Sequence, residues 1–173
     1  PVIGAPDAPV VLVEYACFRC PFCARITPKL VKEVTVGQLA GKVKLYFKVF
    51  PLKGHPGSVE SGLAAVAAHE QGRFWEFLNL AFTGFDGFSV EALPAMAVEA
   101  GLEPTAYQNA VSSESSRALL VHGKREGMAN GVDATPSFFI SGRRYQGELK
   151  LHQFVDVLEE EHERLTGHER TKQ

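Results

Sequence analysis

Cysteine is scarce in this chain: three residues in 173, an odd number, exclude a scaffold of stapling disulfides. Charge of one sign is scarce as well. With 18 basic against 20 acidic residues, a net charge of -2 and a pI near 6.3, the chain has no dense cationic face for nucleic-acid phosphates, so nucleic acid is excluded as a partner. Long apolar runs are missing too, since the stretches around Val10 to Val13 and Gly62 to Ala68 fall well short of the ~20 residues of a membrane-crossing helix. No internal repeat, low-complexity tract or linker divides the chain. Pro1 is neither an initiator methionine nor the start of a cleavable apolar segment, which leaves the compartment open at this point. What is present, 45% hydrophobic and 22% charged residues, describes one globular domain, plain or elaborated, able to bury roughly two-thirds of its unfolded surface.

Periodicity supplies the elements. Val10-Val11-Leu12-Val13 is a β-branched run after a Pro- and Gly-rich start, and it reads as a central strand covered on both faces. Pro21 suits a first helical position, and Phe22, Ile26 and Leu30 then recur at helical spacing, with Pro28 expected to interrupt and kink that helix. A second strand runs from Val43 to Phe50 and is ended by Pro51. From Pro56 to about Met128 the chain reads as four or five helices, with Ser58, Ser89 and the Ser112 to Ser116 cluster as candidate starts. Phe74, Trp75, Phe77, Leu78 and Phe82 form an aromatic stripe best placed in a core. Pro136 to Ile140, a turn at Ser141-Gly142 and Arg143 to Gln146 predict a β-hairpin. Leu151, Phe154, Val155, Leu158 and Leu165 predict a closing amphipathic helix, with Glu159-Glu160-Glu161 mainly on its solvent side. The order β, α, β, helices, β, β, α is that of a small α/β sheet layer carrying a helical insertion.

All three cysteines fall within seven residues, Cys17-Phe18-Arg19-Cys20-Pro21-Phe22-Cys23. Such clustering points to redox or metal chemistry rather than to inert buried thiols. A Cys-x-x-Cys joining a strand to a helix is a redox signature with a physical cause. The first thiol faces free backbone N–H groups and the positive end of the helix dipole, so its thiolate is stabilised below the ~8.5 of a free cysteine. Cys20 is therefore the expected attacking thiol, and Cys23, one turn further in and more shielded, the resolving one.

The segment Val11-Leu12-Val13-Glu14-Tyr15 through Cys20-Pro21-Phe22-Cys23, the block with Gly72-Arg73-Phe74-Trp75, and Gly131 to Phe139 together resemble the DsbA family of thiol-disulfide oxidoreductases. The likeness covers nearly the whole chain. It implies a thioredoxin fold of the α/β class with an inserted α-helical domain, the thioredoxin-like part being residues 1–55 and 129–173 and the insertion 56–128. It implies disulfide exchange with reduced or disulfide-bonded substrate proteins and an extracytoplasmic location; the leading reading is a dithiol oxidase without a cofactor, whose reoxidation calls for a membrane redox partner, while reduction or isomerisation of substrate disulfides would use the same residues. It also implies that Pro136 is cis and packs beside the cysteines, with the backbone of Thr135 left to pair with an extended substrate and with Pro21 and Phe22 contacting it.

Glu14 follows four apolar residues on a strand expected to be covered, where burial penalises an ionised carboxylate. Six positions before Cys20, it is a candidate to exchange a proton with Cys23, with Lys48 as its charge partner. Phe22, where the best-known strong oxidant of the family has histidine, cannot donate to the Cys20 thiolate, so oxidising strength stays undecided. Arg19 adds positive potential there, screened if exposed. Cys17 stands where many relatives have aspartate, and is expected to be a small buried residue at a strand end, with a third redox thiol or a capture site as the other readings. Two functions of other classes compete: a zinc module using the three cysteines with His55 or His122, disfavoured because no fourth cysteine follows, and a peptide-binding chaperone with incidental thiols.

Overall fold

A computed structural model of the chain describes residues 1–170. Five strands form one sheet: β1 (Val2–Gly4), β2 (Val10–Ala16), β3 (Val43–Val49), β4 (Ser137–Ile140) and β5 (Arg143–Arg144), in the spatial order β1-β3-β2-β4-β5. The β-branched run from Val10 thus lies at the centre, as its pattern predicts. The amide of Val10 donates to the Lys42 carbonyl at 3.1 Å, and at the far end the amide of Phe50 donates to Ala16 at 2.8 Å. β2 and β3 therefore run in the same direction, which requires a crossover, supplied by helix α1 (Pro21–Thr35). Pro28 sits inside α1, which continues past it to Thr35. Strand β1 pairs antiparallel with β3 and carries no sequence signal, being only three residues long. It ends at Gly4, with φ +105°, where a Cβ would stand 2.5 Å from the Val43 carbonyl, so glycine alone fits.

β4 and β5 pair antiparallel through Phe139 with Arg144 and Ile140 with Arg143. Positive φ at both Ser141 (46°) and Gly142 (83°) makes the connection a primed turn matching the strand twist. The second strand stops at Arg144, short of the Gln146 expected. Helix α7 (Leu151–Arg170) buries Phe154, Val155 and Leu158. Glu161 departs from the solvent face predicted for it: it is only 5% exposed and is bound by Arg143 at 2.7 Å and by Arg164 at 2.8 Å.

Between β3 and β4 run α2 (Ser58–Glu70), α3 (Phe74–Thr83), a 3₁₀ turn (Phe85–Gly87), α4 (Leu93–Glu99), α5 (Pro104–Ser112) and α6 (Glu114–Ala129). Capping departs in part from the sequence reading. Ser113 caps α6 by accepting from the Ser116 amide at 3.0 Å, and Ser89 accepts from the Ala92 amide just before α4. Ser58, however, is the first helical residue of α2 behind Gly57, and its hydroxyl donates to the Leu52 carbonyl at 2.9 Å. The cap of α5 is Glu103, accepting from the amides of Thr105 and Ala106. In the aromatic stripe Phe74, Phe77, Leu78 and Phe82 are buried and Trp75 is half-buried.

By contacts the chain divides into two compact units. The first holds residues Pro1–Glu14, Ile26–Phe47 and Ser137 onward, with a core that includes Leu12, Leu30, Leu45, Phe138 and Phe154. The second holds Tyr15–Arg25 and Lys48–Pro136, so residues 15–25, 48–55 and 129–136 group with the helices. Its aromatic centre is Phe18, whose ring lies 5.2 Å from Phe82, 5.7 Å from Phe77 and 6.2 Å from Phe74.

Candidate active site

Within the second unit, the three cysteines occupy a turn and the helix start that follows it. The amide of Cys20 donates to the Cys17 carbonyl at 3.0 Å, closing a turn whose two inner residues are held by side chains. Phe18 is inserted among the rings of α3 described above. Arg19 lies between the rings of Phe85 (4.6 Å) and Phe88 (4.0 Å) and donates to the Phe85 carbonyl at 3.1 Å. It is half-buried and clamped, not the solvent-screened side chain of the sequence reading. The Cys20 carbonyl accepts from the Ala24 amide at 3.1 Å, which places Cys20 at the N-terminal end of α1.

All three cysteines are thiols. The Cys20 thiol is pulled down to about 5, first by a hydrogen bond from the Cys23 side chain, then by the Thr135 side chain and the backbone amides of Cys23 and Phe22, against the opposing effect of burial. Cys20 is 2% exposed and Cys23 fully buried, so Cys23 is the more shielded of the two, as expected. Around Cys20 the surface is apolar: Pro21 is exposed, and Phe22 is 58% exposed with the Arg25 guanidinium 4.7 Å from its ring centre.

The opposite wall comes from the end of the unit. As a thiol, Cys20 donates to the Thr135 carbonyl at 3.2 Å, and the bond from Thr135 to Pro136 is cis. The segment is delivered there by the end of α6, where Gly131 takes φ 78° and the Val132 amide donates back to the Gly127 carbonyl at 2.9 Å. Thr135 and Pro136 are half-buried.

Cys17 is fully buried, and burial pushes its thiol up. It is more than the inert small residue expected, because its sulfur lies 3.4 Å from His55 Nδ1 and accepts from the Arg19 amide at 3.4 Å. His55 thus joins one cysteine, yet among the described residues no group of three or more His, Cys, Asp or Glu side chains is placed to hold a metal ion.

Glu14, on β2 in the first unit, is fully buried, and Thr27 of α1 donates to its Oε1 at 2.5 Å. Lys48 is not held as its partner: the ammonium donates to Glu126 Oε2 at 3.1 Å, while Tyr15 donates to Oε1 of the same carboxylate at 3.1 Å and Asn130 to the Tyr15 hydroxyl at 3.0 Å. Thr27, His55 as a single-thiol partner, and Glu126 were not singled out from sequence. Only Thr27 had a usable signal there, since it follows Cys23 by one helical turn.

The sheet order and the crossover through α1 define a thioredoxin-like α/β fold. A family model described as Thioredoxin matches residues 1–160, and the chain belongs to that family. Among solved structures it is similar to a thioredoxin-like oxidoreductase from Silicibacter pomeroyi DSS-3, with 25% identity, a TM-score of 0.77, and 92% of this chain and 90% of that one covered. It shares its fold with Wolbachia pipientis alpha-DsbA1 (21% identity, TM-score 0.80, 95% and 92% covered). The same holds for a periplasmic thioredoxin-like protein from Salmonella enterica serovar Typhimurium (22%, TM-score 0.78, 94% and 89%). The family match and the sheet order agree: this is a thioredoxin-family chain.

Among curated proteins the chain is similar to Na(+)/H(+) antiporter NhaA 1 of Mycolicibacterium gilvum (strain PYR-GCK), 35% identical over 161 residues, which take in 91% of this chain and 26% of that protein. Na(+)/H(+) antiporter NhaA of Herminiimonas arsenicoxydans is 32% identical over 160 residues, 90% and 24%. The chain spans about a quarter of the length of these relatives. Among the described residues no helix is long and apolar enough to cross a membrane.

Proposed function

We propose that the chain is a dithiol oxidase whose Cys20–Cys23 disulfide is passed to substrate proteins. The setting of Cys20 supports the direction: at the N-terminal end of α1 and against Thr135, hydrogen bonds from the Cys23 and Thr135 side chains pull its thiol down to about 5. A pair whose attacking sulfur is stable as a thiolate is stabilised in its reduced form, and therefore gives up its disulfide readily. A substrate thiolate attacks Cys20 of the disulfide, Cys23 leaves as the thiol, and a mixed disulfide forms on Cys20. The second substrate thiolate then attacks the substrate's own sulfur in that bridge, so that the oxidised product departs and Cys20 is left as its stabilised thiolate. Pro136 faces the exchange without a donor of its own, Thr135 offers backbone groups to an extended substrate, and Pro21 and Phe22 form the apolar contact surface. Glu14 acts as the proton store for the buried Cys23. The thioredoxin-like part is 1–55 with 129–173, interrupted by the helical insertion 56–128. The chain works outside the cytoplasm and is reoxidised by a membrane redox partner.

Equilibration with glutathione tests the direction. A thiol near 5 lies between those of the thioredoxin and DsbA extremes, so a potential above about −200 mV is expected, while a value near −270 mV would make the same residues a reductase. Cys20→Ala should abolish oxidation of reduced ribonuclease, and an unchanged rate would remove the reading.

A further inference from the structure

Cys20 belongs to two overlapping pairs, Cys17-Phe18-Arg19-Cys20 and Cys20-Pro21-Phe22-Cys23, and the exchange above uses only the second. The first pair closes the turn in which the Cys20 amide bonds the Cys17 carbonyl at 3.0 Å. Such a turn keeps its end Cα atoms within about 7 Å, and disulfides span Cα separations of about 4.4 to 6.8 Å. Both inner residues are clamped, Phe18 among the α3 rings and Arg19 between Phe85 and Phe88, so the turn that joins the two cysteines is held by the unit itself. Around the Cys17 sulfur the structure supplies what a buried thiol needs in order to react: a ring nitrogen, His55 Nδ1, at 3.4 Å, which accepts a proton when the imidazole carries its hydrogen on Nε2, and an N–H donor, the Arg19 amide, at 3.4 Å.

We propose that Cys17 is a second resolving thiol, which gives its proton to His55 and attacks the Cys20 sulfur of a mixed disulfide to form a Cys17–Cys20 bridge. The inference rests on the exchange at Cys20 proposed above. In the step the bond between Cys20 and the partner sulfur breaks as the Cys17–Cys20 bond forms. The Cys17 sulfur is oxidised, the partner sulfur leaves reduced as a thiolate, and the proton held by His55 passes to it. Complete burial of Cys17 does not oppose an attack from within the chain, and it keeps external oxidants away. The burial that holds Cys17 protonated is the reason an adjacent base is required. The chain then has two oxidised forms, one of which leaves Cys23 as a thiol.

Oxidised glutathione is a sufficient probe. The reduced full chain carrying Cys23→Ser, and the double variant Cys17→Ser/Cys23→Ser, are exposed to it, quenched, and mapped by mass spectrometry; Cys17→Ala replaces the serine if that double variant fails to fold. Both should take up glutathione on Cys20, but with Cys17 present the adduct should convert to a Cys17–Cys20 bridge, with a lifetime at least about tenfold shorter. Adding His55→Gln to Cys23→Ser should lengthen it again, and an unaltered lifetime would overturn the role given to His55. An equally lasting adduct with and without Cys17 overturns the inference while leaving exchange at Cys20 standing. No adduct on Cys20 in either variant overturns the exchange reading, and this inference with it.

Discussion

The Cys20 sulfur lies 3.2 Å from the carbonyl oxygen of Thr135, a residue 115 positions away in the chain. The Thr135 hydroxyl oxygen is buried and makes no other hydrogen bond, which leaves its O–H available to a thiolate. The contact thus changes character with the proton: the thiol donates to the carbonyl, and the thiolate accepts from the side chain and from the amides of Cys23 and Phe22.

Alkylation of Cys20 by a small reagent should therefore rise with a midpoint near pH 5. Thr135→Ala should move that midpoint upward, since it removes one of the groups that lower it. Because the folded value lies below the ordinary thiol value of 9.0, this thiolate adds stability to the reduced protein in full above pH 9, and loses it as pH falls toward 5. The oxidised protein has no such dependence. The stability gap between reduced and oxidised forms, read by denaturant titration, should narrow over that window, and a gap independent of pH would count against the assigned thiolate.

Glu14 and Thr27 make a second linked pair. Glu14→Gln preserves volume and an acceptor for the Thr27 hydroxyl, so folding should change little, while thiol exchange slows by about tenfold or more if the carboxyl handles a proton. Thr27→Val keeps shape but withdraws the donor to a buried carboxyl oxygen, at a cost of about 1 to 3 kcal/mol. An unchanged exchange rate in Glu14→Gln removes the proton role and leaves Glu14 a structural acid.

What was legible in the chain was whatever local pattern encodes. The β-branched run of β2, the Ser141-Gly142 turn, the apolar spacing of α7 and the Cys-x-x-Cys at a helix start are set by neighbours a few residues apart. The rest depends on topology. Tyr15 meets Glu126 across 111 positions and Cys17 meets His55 across 38, and no periodicity announces either. Arg19 is clamped by the Phe85 ring of a 3₁₀ turn and the Phe88 ring just after it, a placement that hydrophobic spacing does not predict. Glu161 misled for a related reason. It stands in a charged run, yet it lies one turn after the buried Leu158, where Arg143 of the hairpin and Arg164 of its own helix bind its carboxylate.

Packing at Gly127 gives a stability prediction. A Cβ there would stand 2.6 Å from Phe50 Cε2 and 3.0 Å from Tyr15 Cδ1, and the Phe50 ring cannot retreat easily, being fully buried with the Lys124 ammonium 3.3 Å from its centre. Gly127→Ala should destabilise by about 1 to 3 kcal/mol, or about 2 to 4 °C in Tm per kcal/mol for a chain of this size. Pairing it with Phe50→Leu should return part of that loss, measured as a coupling in a double-mutant cycle. Strict additivity would place the strain elsewhere.

Glu161 gives the acid-side counterpart. Hydrogen bonds from Arg164 come first, with the Ser141 side chain and the charges of Arg143 and Arg164 adding to them, and together they hold its carboxyl down at about 2 in spite of burial. A carboxylate held below its ordinary value near 4.5 contributes stability that is complete above that value, and is lost as pH falls through the folded one. Glu161→Gln should therefore cost roughly 1 to 3 kcal/mol at neutral pH, since it replaces charge-assisted bonds to a buried oxygen by weaker ones. The difference from the parent should stay level down to about pH 5 and then shrink toward pH 2, where the parent carboxyl takes up its proton. Urea unfolding across that range reads it directly. If the two chains remain separated by the same amount at pH 2, the arginines stabilise this helix through packing of their stems, and the charge of Glu161 has no part in it.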